Sequence, residues 1–382
     1  MASPEFNLST VGQNASAGCI DFSQIKIIDI EYDKKFVCTL DLLIMAIRDY
    51  LNKTNHHAVI ICNSRGIDSA AALGISRLAL SQSDNMVSVR MPTEITSGES
   101  NNLGSELCSK AKIQDRCVSI NHLDFLDHIN NGLGLSRGKY HPVADENIQA
   151  RIRGQILMHM SNANPGYLVL STGNKTESAF GYCTLYGDMS GGISPLLDCY
   201  KKYVFYLAKQ INARSQKQFG QPVIPEGIIN RPPTAELAEN QDDQNSLGAS
   251  YAVLDMIVMS YVEHYITSYS SFKDFCYEVF ACPLPEQGQN QFFSPKKNHI
   301  IPDEIKHALL DGHLDGHLGS IKEENNVAKK ILDDVKNLGQ SRYNQMKDRI
   351  DRIQFKRKQA PIGFKICSRS FGFGRRIPIV KG

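Results

Sequence analysis

Ala58-Val-Ile-Ile-Cys62, running straight into Asn63-Ser64-Arg65-Gly66-Ile67-Asp68-Ser69, is the stretch on which the reading of this chain turns. The short apolar run predicts a strand buried on both faces. The segment Ala70 to Leu80 predicts a helix directly after the polar loop. A strand that opens into a helix N-terminus gathers unpaired backbone N–H groups and the positive end of the helix dipole. That combination binds anions. Ser64 and Ser69 add hydroxyl donors. Asp68 repels phosphate unless a divalent cation lies between them, so it points to Mg2+. The loop lacks the Lys and the second glycine spacing of a Walker A loop. Taken alone, an ordinary strand-to-helix turn capped by Asp68 or Ser69 accounts for the same residues equally well.

The flanking sequence repeats the same alternation. Leu40 to Leu51 has helical spacing ahead of the first strand. Further strands are expected at Met86–Met91, Cys117–Ile120 and Tyr167–Ser171. Helices are expected near Glu99–Lys112 and over Asp145–Met160 between them. Strands alternating with helices imply a parallel sheet covered on both faces, an α/β doubly wound fold. After about Lys201 helical patterns dominate, at Tyr200–Ala213, Tyr251–Thr267 and Ser320–Leu338. Lys26–Tyr32 is strand-like, and Cys282–His299 reads as a loop. The tandem Asp311-Gly-His-Leu and Asp315-Gly-His-Leu offers two His and two Asp, but turns at helix ends explain it better than a metal site.

Composition narrows the function. The 382 residues carry 42 Lys plus Arg against 40 Asp plus Glu, a net charge of +2, which argues against a dedicated nucleic-acid binder. Ten cysteines include no CxxC pair, so zinc ribbons and dithiol redox centres lose support, and buried free thiols in a reducing compartment are expected. No secretory signal and no bilayer-length apolar run is visible, so a cytoplasmic, membrane-free protein is expected. Met1–Phe6 looks like a cloning scar, and residues 1–38 are read as tag and extension.

The loop Ser64-x-Gly-Ile-Asp-Ser69 resembles the SGGxDS pyrophosphate loop of the N-type ATP pyrophosphatases (adenine-nucleotide alpha-hydrolase fold). Within that group the chain resembles the NAD synthetase family, in particular the synthetase domain of the glutamine-dependent type. The likeness is carried by Glu146-Asn-Ile-Gln-Ala-Arg-Ile-Arg-Gly154, Ser171-Thr-Gly-Asn-Lys-Thr-Glu177 and Gly181-Tyr-Cys-Thr-Leu-Tyr-Gly-Asp-Met189. Pro232-Pro-Thr-Ala-Glu-Leu237, Ser246-Leu247 with Tyr251 and Leu254-Asp255, and Lys356-Arg-Lys-Gln-Ala-Pro361 follow in family order. Residues 39–382 are expected to form one synthetase domain with helical C-terminal additions and an insertion around 270–340.

The resemblance implies a two-step, ATP- and Mg2+-dependent amidation of deamido-NAD by ammonia through an acyl-adenylate. On the ATP side it implies Ser64, Gly66, Asp68, Ser69, Arg90, Thr172, Lys201 and Thr234. Asp68 and Glu177 would hold Mg2+. Deamido-NAD would meet Asn147, Arg151, Asp188 and Lys356, with Asp188 and Lys201 in catalytic roles. Family members form homodimers, so a homodimer is expected. The family's amidase domain, with its Glu-Lys-Cys site, has no counterpart in residues 7–38. Free ammonia or a separate glutaminase is therefore the expected nitrogen source.

Four positions depart from the family pattern. Arg65 replaces the first loop glycine. At positive φ it costs about 1–2 kcal/mol, and its side chain either covers the phosphate cradle or pairs with phosphate. Glu94 stands where the family has Arg, and Gln244 and Asn245 replace acids. An active synthetase, a catalytically impaired nucleotide- or partner-binding relative, and another ATP pyrophosphatase such as a tRNA-thiolating enzyme are the readings left open. The absence of CxxC and of a basic surplus counts against the last.

Overall fold

The computed structural model describes residues 39–377 except 82, 95, 97, 135–141, 234–236, 238–242, 282–300, 302, 311–320 and 373. The expected strand at 26–32, the loop at 282–299 and the Asp-Gly-His repeat therefore lie outside the described residues.

The chain begins with α1 (Thr39–Lys53), β1 (Ala58–Cys62), α2 (Ile67–Ala79), β2 (Met86–Arg90), α3 (Gly98–Ala111), β3 (Gln114–Cys117) and α4 (His122–Gly132). Next come α5 (Pro142–Ala163), β4 (Tyr167–Leu170), α6 (Lys175–Phe180), β5 (Ile193–Ser194), α7 (Lys201–Phe219), α8 (Glu226–Ile229) and α9 (Asp243–Leu247). Then follow α10 (Tyr251–Val258), α11 (Tyr269–Ala281), α12 (Asp303–Leu310), α13 (Ile321–Arg352), α14 (Gln354–Arg357) and β6 (Ile362–Gly363).

The six strands form one sheet in the order β3-β2-β1-β4-β5-β6, and every pairing is parallel. This is the doubly wound order expected from the strand–helix alternation. Successive side chains of a strand point to opposite faces. Accordingly Val59 and Ile61 of β1 join the large apolar cluster with α1, α2 and α7, while Ile60 joins Val87, Val89, Leu157 and Val169 under α5. Ala58, Val59, Ile60 and Ile61 are all buried, which is why β1 reads as an unbroken apolar run.

The large cluster also takes in Phe272, Phe275, Val335 and Tyr343. Helices α11 and α13 therefore belong to the main core. The seven described cysteines are free. Among the described residues no helix is long and apolar enough to cross a membrane.

One expected strand sits elsewhere. β3 spans Gln114–Cys117, not Cys117–Ile120. It is the sheet's edge, so its residues are half-buried or exposed and carry no apolar alternation. The more apolar stretch after it continues off the sheet, with Val118 N–H donating to Arg90 C=O and Ile120 N–H to Pro92 C=O.

Candidate functional site

In doubly wound sheets ligands bind beyond the carboxyl ends of the strands, where the order reverses. Here β1 and β4 are neighbours whose following chains leave in opposite directions. The loops after them, 63–66 and 171–174, open onto one cavity of about 430 Å3. It is lined at one end by Ser64, Arg65, Gly66 and Asp68, and at the other by Asn147, Thr184, Asp188 and Lys356. Thr172, Glu177 and Lys201 also line it.

Helix α2 starts at Ile67 behind a Gly66 cap that has no side-chain hydrogen bond. Ser64 Oγ donates to Ser69 Oγ at 3.1 Å, and Ser69 Oγ donates to Gly66 C=O at 3.0 Å. Lys201, at the start of α7, is the electrostatic centre. Its Nζ lies 2.5 Å from Asp68 Oδ2 and 2.7 Å from Glu177 Oε1. Asn174 joins the two acids: its Nδ2 donates to Asp68 at 3.0 Å, and its Oδ1 accepts from Glu177 N–H at 2.9 Å as the N-cap of α6. The paired carboxylates hold Lys201 well above the usual lysine range. Burial pushes Glu177 up to about 7, with Asp68 and Asp243 adding to the rise and Lys201 opposing it.

The other end is built by α5 and the 181–190 loop. Thr184 Oγ1 donates to Asn147 Oδ1 at 2.7 Å, and Thr184 N–H donates to Asp188 Oδ1 at 2.6 Å. Burial raises Asp188 to about 6 against the lowering effect of the Thr184 N–H and Lys356. Asp188 is nonetheless exposed by surface area, so solvent screening tempers this rise. Lys356 Nζ donates to the carbonyls of Gly181 (3.0 Å) and Cys183 (2.8 Å). The loop meets α5 with almost no clearance. A Cβ at Gly154 would lie 2.9 Å from the backbone oxygens of Tyr186 and Gly187.

The remaining expected residues divide. Arg90 grips Asp115 bidentately, at 2.8 Å through both Nε and NH2, and does not line the cavity. Arg151 Nε donates to Leu185 C=O at 3.3 Å and supports the loop without lining the cavity. Thr234 lies outside the described residues. Glu94 is placed 3.1 Å from His122 Nδ1. Gln244 and Asn245 lie on α9.

Arg153 and Asp243 are among the lining residues that were not anticipated. Arg153 lines the cavity, with its Nε donating to Met91 C=O at 3.3 Å. Its signal was available, because Glu146, Ala150, Arg153 and Leu157 recur at intervals of four, three and four along one helix face. Buried Asp243 also lines the cavity, accepting from Tyr182 OH at 2.8 Å and Tyr251 OH at 3.4 Å. No local pattern distinguishes it from the neighbouring Asp242.

Asp68 and Glu177 suit Mg2+ in donor type. Both are hard carboxylate ligands, and both line the same cavity. No group of three or more His, Cys, Asp or Glu is placed to hold a metal among the described residues. Mg2+ commonly takes one or two carboxylates and completes its shell with water and phosphate.

A model of the family "NAD synthase" matches residues 39–275. The glutamine-dependent NAD(+) synthetase of Acinetobacter baylyi is 35% identical over 342 residues, covering 89% of this chain and 50% of that protein. The one from Thermotoga maritima is 33% identical over 88% of this chain and 46% of its own length. The chain thus spans about half the length of these curated relatives. Among solved structures, a glutamine-dependent NAD(+) synthetase from Cytophaga hutchinsonii has a TM-score of 0.58 at 15% identity, over 90% of this chain and 53% of that one. An NMN synthetase from Francisella tularensis has a TM-score of 0.50 at 24% identity, over 58% of this chain and 84% of that one. These two likenesses show a shared fold.

Proposed function

The chain belongs to the NAD synthase family, and from that premise we propose that it converts deamido-NAD to NAD with ATP, Mg2+ and ammonia. A carboxylate oxygen of the nicotinate moiety attacks the α-phosphorus of ATP. The bond from that phosphorus to the bridging oxygen breaks, and pyrophosphate leaves. Ammonia then attacks the acyl carbon, a proton is lost from nitrogen, and AMP departs with NAD formed.

The observation that carries this reading is a single cavity with an anion-binding helix start at one end and the Asn147–Asp188–Lys356 group at the other. The polyphosphate would meet the N-terminus of α2, the Ser64 hydroxyl, Thr172 and Lys201, while Ser69, buried and off the cavity wall, holds Ser64 from behind. Asp68 and Glu177 would hold Mg2+, which supplies positive charge to the polyphosphate. Lys201 lies between the two acids and would turn toward phosphate once a divalent cation satisfied them. Asn147 would orient the nicotinate end. With its carboxyl near 6, Asp188 is ionised at neutral pH and suited to take the amine proton.

Exposed apolar side chains support a homodimer. Leu123, Leu133 and Val143, on and between α4 and α5, are 52%, 69% and 74% exposed, and Val143 lies at the cavity wall. A second copy on this face would cover them and close the cavity. Residues 39–382 then act as one synthetase unit. Free ammonia or a separate glutaminase supplies nitrogen, and the unpaired cysteines suit the cytoplasm.

The test supplies purified protein with deamido-NAD, ATP, Mg2+ and ammonium, and follows NAD and AMP. Equal yields of both are expected. Folded protein that binds ATP without turnover would instead identify a nucleotide-binding relative, the reading motivated by Arg65.

A further inference from the structure

Arg65 has φ +66° and is buried, at 4% exposure. A non-glycine residue in this left-handed region is strained. The surroundings show how the loop tolerates it. Arg65 N–H donates to Asn63 Oδ1 at 3.2 Å. Its Nε donates to Ser64 C=O at 3.1 Å, and its NH1 donates to Asn101 Oδ1 on α3 at 3.4 Å. The stem crosses α3 at Gly104. A Cβ there would stand 2.9 Å from Arg65 Cγ and 2.9 Å from Arg90 Cδ. Real Cβ atoms essentially never approach so closely, so a side chain at 104 forces a neighbour to move. Arg90 is pinned by its bidentate grip on Asp115. The movement therefore falls on Arg65 and the loop 63–66 that carries it.

We propose that Gly104 is a positioning residue for the phosphate-binding loop: it provides the notch that lets Arg65 occupy a glycine's place, and it acts on nucleotide binding only through Arg65. This inference rests on the reading of that loop as the ATP site. It makes Arg65 and Gly104 a matched pair: a side chain in a loop position of left-handed φ, and a glycine on α3 that makes room for its stem. Arg65 is then no obstacle in the cradle, because its stem is diverted onto α3.

Four proteins test it: the parent, Gly104→Ala, Arg65→Gly and the double variant. ATP affinity is read by calorimetry, and KM is read for ATP and deamido-NAD separately. Overpacking at 104 is expected to weaken ATP binding about tenfold in the parent background. The KM for deamido-NAD should hold within about twofold. Adding Gly104→Ala to Arg65→Gly, where the Arg65 stem is gone and only Arg90 Cδ still borders the notch, should change ATP affinity by less than about twofold. If Gly104→Ala alone fails to fold while the double variant folds, the same coupling is shown. Asn101→Ala, which removes one of the guanidinium's acceptors and adds no atoms, should weaken ATP binding in the same direction by less.

An equal loss from Gly104→Ala in both backgrounds overturns the proposal, as does a parallel loss for both substrates. A parent that binds no ATP also overturns it. A parent that binds ATP but makes no NAD refutes the proposed reaction alone, and the ATP titrations still decide the pair.

Discussion

Replacing Lys201 with Met removes the ammonium that Asp68 and Glu177 share but keeps the length of the side chain. Lys201 is 4% exposed and the two carboxylates 16% each, so little water is available to replace the lost charge. Breaking a buried pair by removing one partner costs about 3–5 kcal/mol, since the remaining charge stays buried and unpaired. For a unit of this size, about 2.1 cal/mol/K of unfolding entropy per residue converts that loss into about 4–7 °C of Tm. The pH dependence supplies a sharper check. Lys201 is held above its unfolded pKa, so its own contribution is complete below about 10 and is lost only at higher pH. Between pH 5 and 8 the variant's pH response therefore comes from the carboxylates. Without Lys201, Glu177 rises further above about 7, so acid relieves the repulsion. The stability gap between parent and variant should narrow as pH falls from 8 to 5. Urea denaturation of both proteins in chelator-containing buffer across that range measures the gap. A gap under about 1 kcal/mol at pH 8, or one that widens toward acid, would refute the assignment of Lys201 as the shared counter-ion.

Three other outcomes are expected. Glu177→Gln should gain stability relative to the parent as pH rises from about 5 to 8: a carboxyl held near 7 when folded, but titrating near 4.5 when unfolded, loses stability through that window. Urea midpoints in metal-free buffer check this, with loss of NAD formation expected alongside. Gly154→Ala should cost about 1–3 kcal/mol, because its Cβ meets backbone atoms of the 181–190 loop. Its KM for deamido-NAD should rise more than its KM for ATP in steady-state assays. Changing Leu133 and Val143 together to Asp should convert a dimer to a monomer in sedimentation velocity, and unchanged sedimentation would place the interface elsewhere.

The parts of the fold that were legible in the sequence are those where burial is two-sided or periodic. β1, β2 and β4 read correctly because both sheet faces are covered, so their residues are apolar regardless of direction. β3 did not, because an edge strand has no such constraint. β5 and β6 span two residues each and pair through Ile193 with Ile362 and Ser194 with Gly363, too short for any period to emerge. At the site, the turn from β1 into α2 was legible because an apolar run gives way to polar residues ahead of a helical period. The partners of its side chains were not. Arg90 was expected at the nucleotide, but Asp115 from the neighbouring strand holds it bidentately, and cross-strand register does not show in a linear pattern.

The two ends of the cavity are joined by one six-residue helix, α6, and this bears on how the site works. Glu177 is in its first turn, fixed by Asn174. At its start Lys175 is fully buried against Asp198 and Glu263, at 3.0 and 2.9 Å, and donates to Arg369 C=O in the C-terminal tail. At its end Arg357 donates to the carbonyls of Ser178 and Ala179, Arg349 to that of Phe180, and Lys356 to those of Gly181 and Cys183. Cations at a helix C-terminus satisfy orphan carbonyls and oppose the dipole, so these residues hold α6 along its axis. A shift of the helix at either end would move Glu177 relative to Asp68, and would move the Gly181–Cys183 strip relative to Asp188. A helix this short gains little from its own hydrogen bonds, so its position is set by these tethers. The Ser64–Asp68 end and the Asn147–Asp188 end of the cavity are therefore mechanically one unit. Substitutions at Lys356, which lies at the Asp188 end, should register at Glu177 at the other end as well.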